Sequence, residues 1–75
     1  PDHGPALRTR GQFALAGTAP AEAERWLSRA AEVLPNDYQT QFLYSQALQQ
    51  AGKTVEADAQ LKRANEVRER ATQLT

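Results

Sequence analysis

Two stretches of this chain, EAERWLSRAAEV at residues 22–33 and EADAQLKRANEV at residues 56–67, are versions of one pattern. The second begins 34 residues after the first (56 − 22), and seven of the twelve positions are identical. Unrelated segments are expected to share about one residue in twelve at ordinary amino-acid frequencies. The chain therefore contains a sequence repeat of about 34 residues, a period typical of arrays of short helical hairpins.

The spacing of the apolar residues predicts four helices, separated by Pro, Gly and capping residues. Helices one and two are predicted at about Pro5–Ala16 and Pro20–Leu34, each with a proline in its first turn, where the missing N–H costs nothing. Asn36 and Asp37 are strong caps for helix three, which is expected to end at Gly52. Helix four continues to the end of the chain and is the longest. Short turns make consecutive helices antiparallel, so the expected fold class is all-α, with two helical hairpins in succession.

Residue size follows one plan in both hairpins. Small residues stand where two helices must approach closely, a large apolar residue in each second helix is followed one turn later by Ala, and a proline closes the first unit. These positions hold Gly11, Ala23, Ser45 and Ala57, then Leu27 and Leu61, then Ala30, Ala64 and Pro35. On these residues the chain resembles the tetratricopeptide repeat family over nearly its whole length. The resemblance implies a solenoid fragment that binds other proteins.

The resemblance also divides the chain, which is expected to be one small domain excised from a longer array. Residues 1–3 correspond to the end of a preceding repeat, residues 4–37 to repeat one and residues 38–71 to repeat two. Glu69 stands where the family has a closing proline, and the apolar stripe continues past it. The last helix is therefore expected to overrun its repeat and to extend to residue 75.

Several large side chains depart from the family pattern. Leu7 and Gln41 stand where an aromatic residue is usual, and Arg10 and Tyr44 stand where Leu is preferred. Trp26, the one tryptophan, lies on the apolar stripe of helix two. We expect it to pack between the two hairpins, with a role as a binding anchor as the alternative.

Composition argues against several classes of function. Nine Lys plus Arg against nine Asp plus Glu leave no formal net charge, which disfavours nucleic acid and membranes as partners. With no Cys and one histidine, His3, no metal site or other cofactor is expected. Ser28 and Ser45 have no base within predictable reach, so no catalytic residue and no enzyme activity are expected. A soluble protein is expected, with the compartment undetermined and the cytoplasm slightly favoured.

The resemblance indicates where a partner would bind, because the first helix of each tetratricopeptide repeat lines a concave groove. Glutamine amides both donate and accept hydrogen bonds, which suits the backbone of an extended peptide. An aromatic side chain adds an apolar contact, and a guanidinium adds a contact for a carboxylate or phosphate. The candidate groove residues are Arg8, Gln12, Gln39, Phe42, Gln46 and Gln49. The alternative is that these residues are simply solvated helix positions.

A second functional class is structural self-association. Repeat arrays generally need about three units, so two repeats expose apolar ends that a copy of the same chain could cover. The candidate residues are Leu7 and Phe13 at one end and Val67, Ala71 and Leu74 at the other.

Overall fold

The computed structural model describes residues 4–17 and 19–73, with side chains through residue 70, and these residues form four α-helices. The predicted all-α class is confirmed. Helix four is the longest, as expected, with 20 residues. The third helix ends two residues before the predicted Gly52. The helices are α1 (Gly4–Ala16), α2 (Pro20–Val33), α3 (Tyr38–Gln50) and α4 (Thr54–Gln73).

The helix ends follow from local residue chemistry. Asp37 caps α3, since its carboxylate accepts a hydrogen bond of 3.1 Å from the backbone N–H of Thr40. Pro20 opens α2, and Ala19 precedes it without a side-chain cap bond. After α3, Gly52 adopts a left-handed backbone with φ of 84°, a conformation that disfavours side chains with a Cβ atom. The N–H of Lys53 then bonds the carbonyl of Leu48 at 2.9 Å, which closes the turn.

The four helices pack as two hairpins, α1 with α2 (hairpin one) and α3 with α4 (hairpin two). The hairpins meet mainly through α2 and α3, and α1 also approaches α3. The core between them contains Ala23 and Leu27 of α2 and Ala47 of α3, all fully buried. Partly buried side chains surround this core: Ala14, Leu15, Leu43 and Tyr44.

Gly11 allows α1 to lie directly on α2. A Cβ atom built at Gly11 would fall 2.3 Å from Cγ of Leu27, far inside the distance of an ordinary carbon contact. At the start of α1, a Cβ atom on Gly4 would fall 2.6 Å from Cγ of Leu34. The expectation that Gly11 marks a close helix contact is thus confirmed, and its neighbour is the large Leu27.

Two expectations about large side chains are wrong. Trp26 lies on hairpin one, where the guanidinium of Arg10 is 5.0 Å from its ring centroid and that of Arg25 is 5.8 Å away. Its side chain lines an open depression whose other lining residues, among them Phe13 and Glu22, all belong to hairpin one. Leu7 was expected at an exposed end but is only 6% exposed, so it is unavailable to a second chain.

Candidate interaction surface

The exposed sides of α1 and α3 form one surface, here called the α1/α3 face. It carries four predicted residues of α3 at alternating spacings of three and four, which place them on one side of that helix. These are Gln39, Phe42, Gln46 and Gln49, and the three glutamines are exposed. Phe42 is half-buried and stacks on Tyr38 with ring centroids 5.9 Å apart. Gln12 contributes an exposed amide from α1.

Arg8 joins the two hairpins at this face. Its Nη1 donates a hydrogen bond of 3.0 Å to Oδ2 of Asp37, the residue that caps α3. The Thr40 hydroxyl and backbone N–H bond the same carboxylate and, together with Arg8, hold the pKa of Asp37 below its ordinary value, against an opposing effect of burial. Arg8 was expected to contact a ligand carboxylate or phosphate. The structure gives it a carboxylate within the chain.

Gln41 has a structural role that its sequence did not indicate. Its side chain is 1% exposed, and its amide donates to the carbonyls of Ala31, Leu34 and Pro35 at 3.2–3.4 Å. Ala31 lies in the last turn of α2, and Leu34 and Pro35 directly follow its end, where carbonyls lack partners within the helix. The carbonyl of Leu34 also accepts the backbone N–H of Asp37 at 3.2 Å. Gln60 of α4 donates in turn to the Gln41 side-chain oxygen and to its carbonyl, the latter at 3.0 Å. Gln41 therefore connects α2, α3 and α4 through satisfied buried hydrogen bonds.

A polar cleft opens on the opposite side of the molecule, between α2 and α4. Its volume is about 390 Å³ and its floor is formed by Gln41 and Tyr44. Ser28 and Glu32 line one wall, and Arg63 lines the other. Sequence reasoning missed this cleft because it depends on the separation of α2 from α4, which is a property of how the hairpins pack.

An ion pair crosses between the hairpins near this side. Nζ of Lys53 lies 2.7 Å from Oε2 of Glu24. The hydrogen bond and the negative charge of Glu24 raise the pKa of Lys53. The two side chains remain 46% and 24% exposed, so the pair contributes little to stability.

The ends predicted for self-association are only partly exposed. Phe13 is 75% exposed on α1. Val67 is half-buried and lines a small cleft with Pro35 and Asn36, so it faces back towards hairpin one. The side chain of Ala71 and all of Leu74 lie outside the described residues, as does His3. Leu61, which the sequence did not single out for this role, is 38% exposed on α4.

Within the described residues there is no group of three or more His, Cys, Asp or Glu side chains that could hold a metal ion. No helix in that part of the chain has the length and apolar character needed to cross a membrane. The buried side-chain nitrogen and oxygen atoms described there all have hydrogen-bond partners. The buried polar groups described there thus serve the packing of the helices.

No family model matches this chain, and neither a curated protein nor a solved structure matches it. The packing of the helices and the chemistry of their surfaces are therefore the observations from which a function can be inferred.

Proposed function

We propose that this chain is a non-catalytic protein-interaction module made of two tetratricopeptide-like repeats, which binds an extended peptide along the α1/α3 face. The observation that carries the proposal is the unequal spacing of the helices. Among the described residues α1 approaches α3, whereas α2 and α4 make no such approach. This spacing supports the proposed curvature towards α1 and α3, with the glutamines on the concave side.

The chemistry of the face suits a peptide backbone. Gln39 and Gln46 are exposed, and each amide presents donors and an acceptor to the unpaired N–H and C=O groups of an extended chain. Phe42, held by its stack on Tyr38, provides a positioned apolar contact between them. Since Arg8 is bound to Asp37, it supports this face by holding α1 against α3.

The test is selection of peptide ligands from a random library of about twelve residues, followed by affinity measurement with fluorescence polarisation. Phe42→Ala is expected to weaken binding about tenfold or more, because aromatic anchors dominate interface energies. Gln46→Ala is expected to weaken it less. Val55→Ser is the matched control, since Val55 is 82% exposed on α4 and is not on this face.

Two results would contradict the proposal. One is that no selected peptide binds with measurable affinity. The other is that the selected peptides bind equally well to wild type and to Phe42→Ala. If substitution of Ser28 or Arg63 abolished peptide binding instead, the binding site would be the cleft between α2 and α4.

Self-association is the second candidate function, and it has its own supporting observation. The large apolar side chains Phe13 of hairpin one and Leu61 of hairpin two stand exposed on α1 and α4. Exposed apolar side chains at both ends of a repeat pair provide a surface that a second copy could bury.

A further inference from the structure

The interface between the two hairpins has two unlike halves. Hairpin two presents Ala47 and Lys53, and hairpin one receives them with Leu27 and Glu24. Ala47 and Leu27 are fully buried in this contact, and Lys53 pairs with Glu24 at 2.7 Å. One hairpin therefore has a presenting side and the other a receiving side.

The repeat offset places the presenting positions on the outer side of hairpin one. Subtracting 34 converts Ala47 to Phe13, which lines an open depression of hairpin one with Arg10 and Trp26. Subtracting 34 also converts Lys53 to Ala19, which lines the same depression. The outer side of hairpin one is thus the equivalent of the side by which hairpin two packs.

The same offset places the receiving positions on the outer side of hairpin two. Adding 34 converts Leu27 to Leu61 and Glu24 to Asp58, which line a cleft of about 120 Å³. Leu27 is fully buried where hairpin two covers it, whereas Leu61 is 38% exposed. Leu61 therefore has apolar surface left that a further hairpin could cover.

We propose that a second copy of this chain docks head to tail, with the outer side of its hairpin one on the outer side of hairpin two. Phe13 of one copy packs at the cleft lined by Leu61 and Ala57 of the other, the counterpart of the contact of Ala47 with Leu27 and Ala23 within one chain. Because Phe is larger than Ala, the two copies lie farther apart at this contact than the two hairpins of one chain do. Because the two docking sides differ, the contact is heterologous and leaves one presenting and one receiving side open after each addition.

This proposal rests on the second candidate function, self-association, and specifies its surfaces and register. The docking partner is a copy of the chain, because the chain itself carries both a presenting and a receiving side. The equivalent positions of these two sides pack together within one molecule. The exposed apolar side chains also match, since Phe13 on the presenting side meets Leu61 on the receiving side.

The experiment is sedimentation velocity with wild type and two variants, Phe13→Glu and Leu61→Glu, up to about 1 mM because small interfaces are weak. Wild type is expected to gain mass with concentration beyond a dimer. Each variant alone is expected to stay monomeric. Their equimolar mixture is expected to form one-to-one dimers, because each variant keeps the docking side that the other has lost.

Val55→Glu is the matched control, because the repeat counterpart of Val55 is Ala21 (55 − 34), which stays exposed beside the packed hairpins. It is expected to associate like wild type. Far-ultraviolet circular dichroism checks that all variants keep their helices, as expected for changes at exposed positions. Trp26, the single tryptophan, lies on the presenting side, so its emission should shift to the blue as wild type associates.

A gain-of-function variant tests the register. Asp58 takes the place of Glu24, but the place of Lys53 on the presenting side is held by Ala19. Ala19→Lys should recreate the ion pair between copies and tighten association about two- to fivefold. Asp58→Asn added to Ala19→Lys should remove that gain.

The failures can be told apart. A wild type that remains monomeric at all concentrations overturns both self-association and this proposal, and points to another occupant of the ends. Mass gain that survives Phe13→Glu or Leu61→Glu, or a mixture that stays monomeric, overturns the head-to-tail contact while self-association stands. Gln49 of the α1/α3 face also lines the receiving cleft, so peptide binding is tested separately with Phe42→Ala and Gln46→Ala.

Discussion

Gly11→Ala tests the close contact between α1 and α2. In an exposed helix this substitution stabilises the folded state by about 1 kcal/mol, because Gly is the poorer helix former. At this position the new methyl carbon would lie 2.3 Å from Cγ and 2.5 Å from Cδ2 of Leu27. Leu27 is fully buried, and Cγ is the branch point of its side chain, so it cannot move away freely.

The two effects oppose each other, and their sizes decide the sign. Overpacking a core typically costs about 1–3 kcal/mol, and contacts this short belong at the upper end. Subtracting the gain in helix propensity leaves a net loss of about 2 kcal/mol. At about 4–8 °C per kcal/mol for a domain of this size, the midpoint of thermal unfolding should fall by roughly 8–16 °C.

Urea unfolding followed by circular dichroism measures the loss, and the Leu27→Ala background supplies the control. There the methyl group has room, so Gly11→Ala should stabilise by about 1 kcal/mol, which makes the coupling between the two sites about 3 kcal/mol. Trimethylamine N-oxide keeps the weakened background folded. A Gly11→Ala variant that is more stable than wild type, with no coupling to Leu27, would refute the close contact.

Three further substitutions test the helix ends and the buried amide. Gln41→Leu should cost about 1–3 kcal/mol in urea unfolding, because the carbonyls of Ala31 and Pro35 lose this donor and Gln60 loses its side-chain acceptor, although it keeps the backbone carbonyl of residue 41; wild-type stability in this variant would show that the lost bonds contribute nothing. Asp37→Asn keeps a capping side chain but no titrating carboxylate. Since the folded-state pKa of Asp37 is below the ordinary 3.8, its contribution is present above pH 3.8 and is lost as the pH falls through the folded pKa. The variant should therefore lose less stability than wild type between neutral pH and that acid range, and equal acid sensitivity would contradict the assignment. Gly52→Ala should cost about 1 kcal/mol through its φ of 84° alone, since no atom lies within 4 Å of the new methyl group; an unchanged urea midpoint would argue against the left-handed turn.

The helices were predictable because their ends depend on nearby residues. Pro20 fits the first turn of a helix, Gly52 tolerates the left-handed turn, and Asp37 caps the helix that directly follows it. Each of these effects acts within about four residues, so the sequence contains all that is needed to infer them. The surface positions Gln12, Gln39 and Gln46 were likewise predictable as exposed, because the helical period separates them from the buried stripe.

Side-chain partners were not predictable, because they depend on contacts between distant segments. Gln41 reads as a surface amide, and its burial makes sense only once the carbonyls of α2 lie above it. Arg8 reads as a free cation until α1 is placed beside the cap of α3. Trp26 reads as core, but the side of α2 that meets hairpin two is the one bearing Glu24.

Leu27 and Leu61 show that equivalent residues of a sequence repeat can contribute differently to the free energy of folding. They hold the same position in matching segments, yet Leu27 is fully buried and Leu61 is 38% exposed. Burying a leucine contributes about 1.5–3 kcal/mol, and part of that contribution at Leu61 is available only when another hairpin covers it. Burial of the remaining exposed surface of Leu61 therefore stabilises association with a partner, and it does not contribute to the folding of the isolated chain. Any partner that covers Leu61 should raise the thermal stability of the chain, and the unfolding midpoint should increase with that partner's concentration.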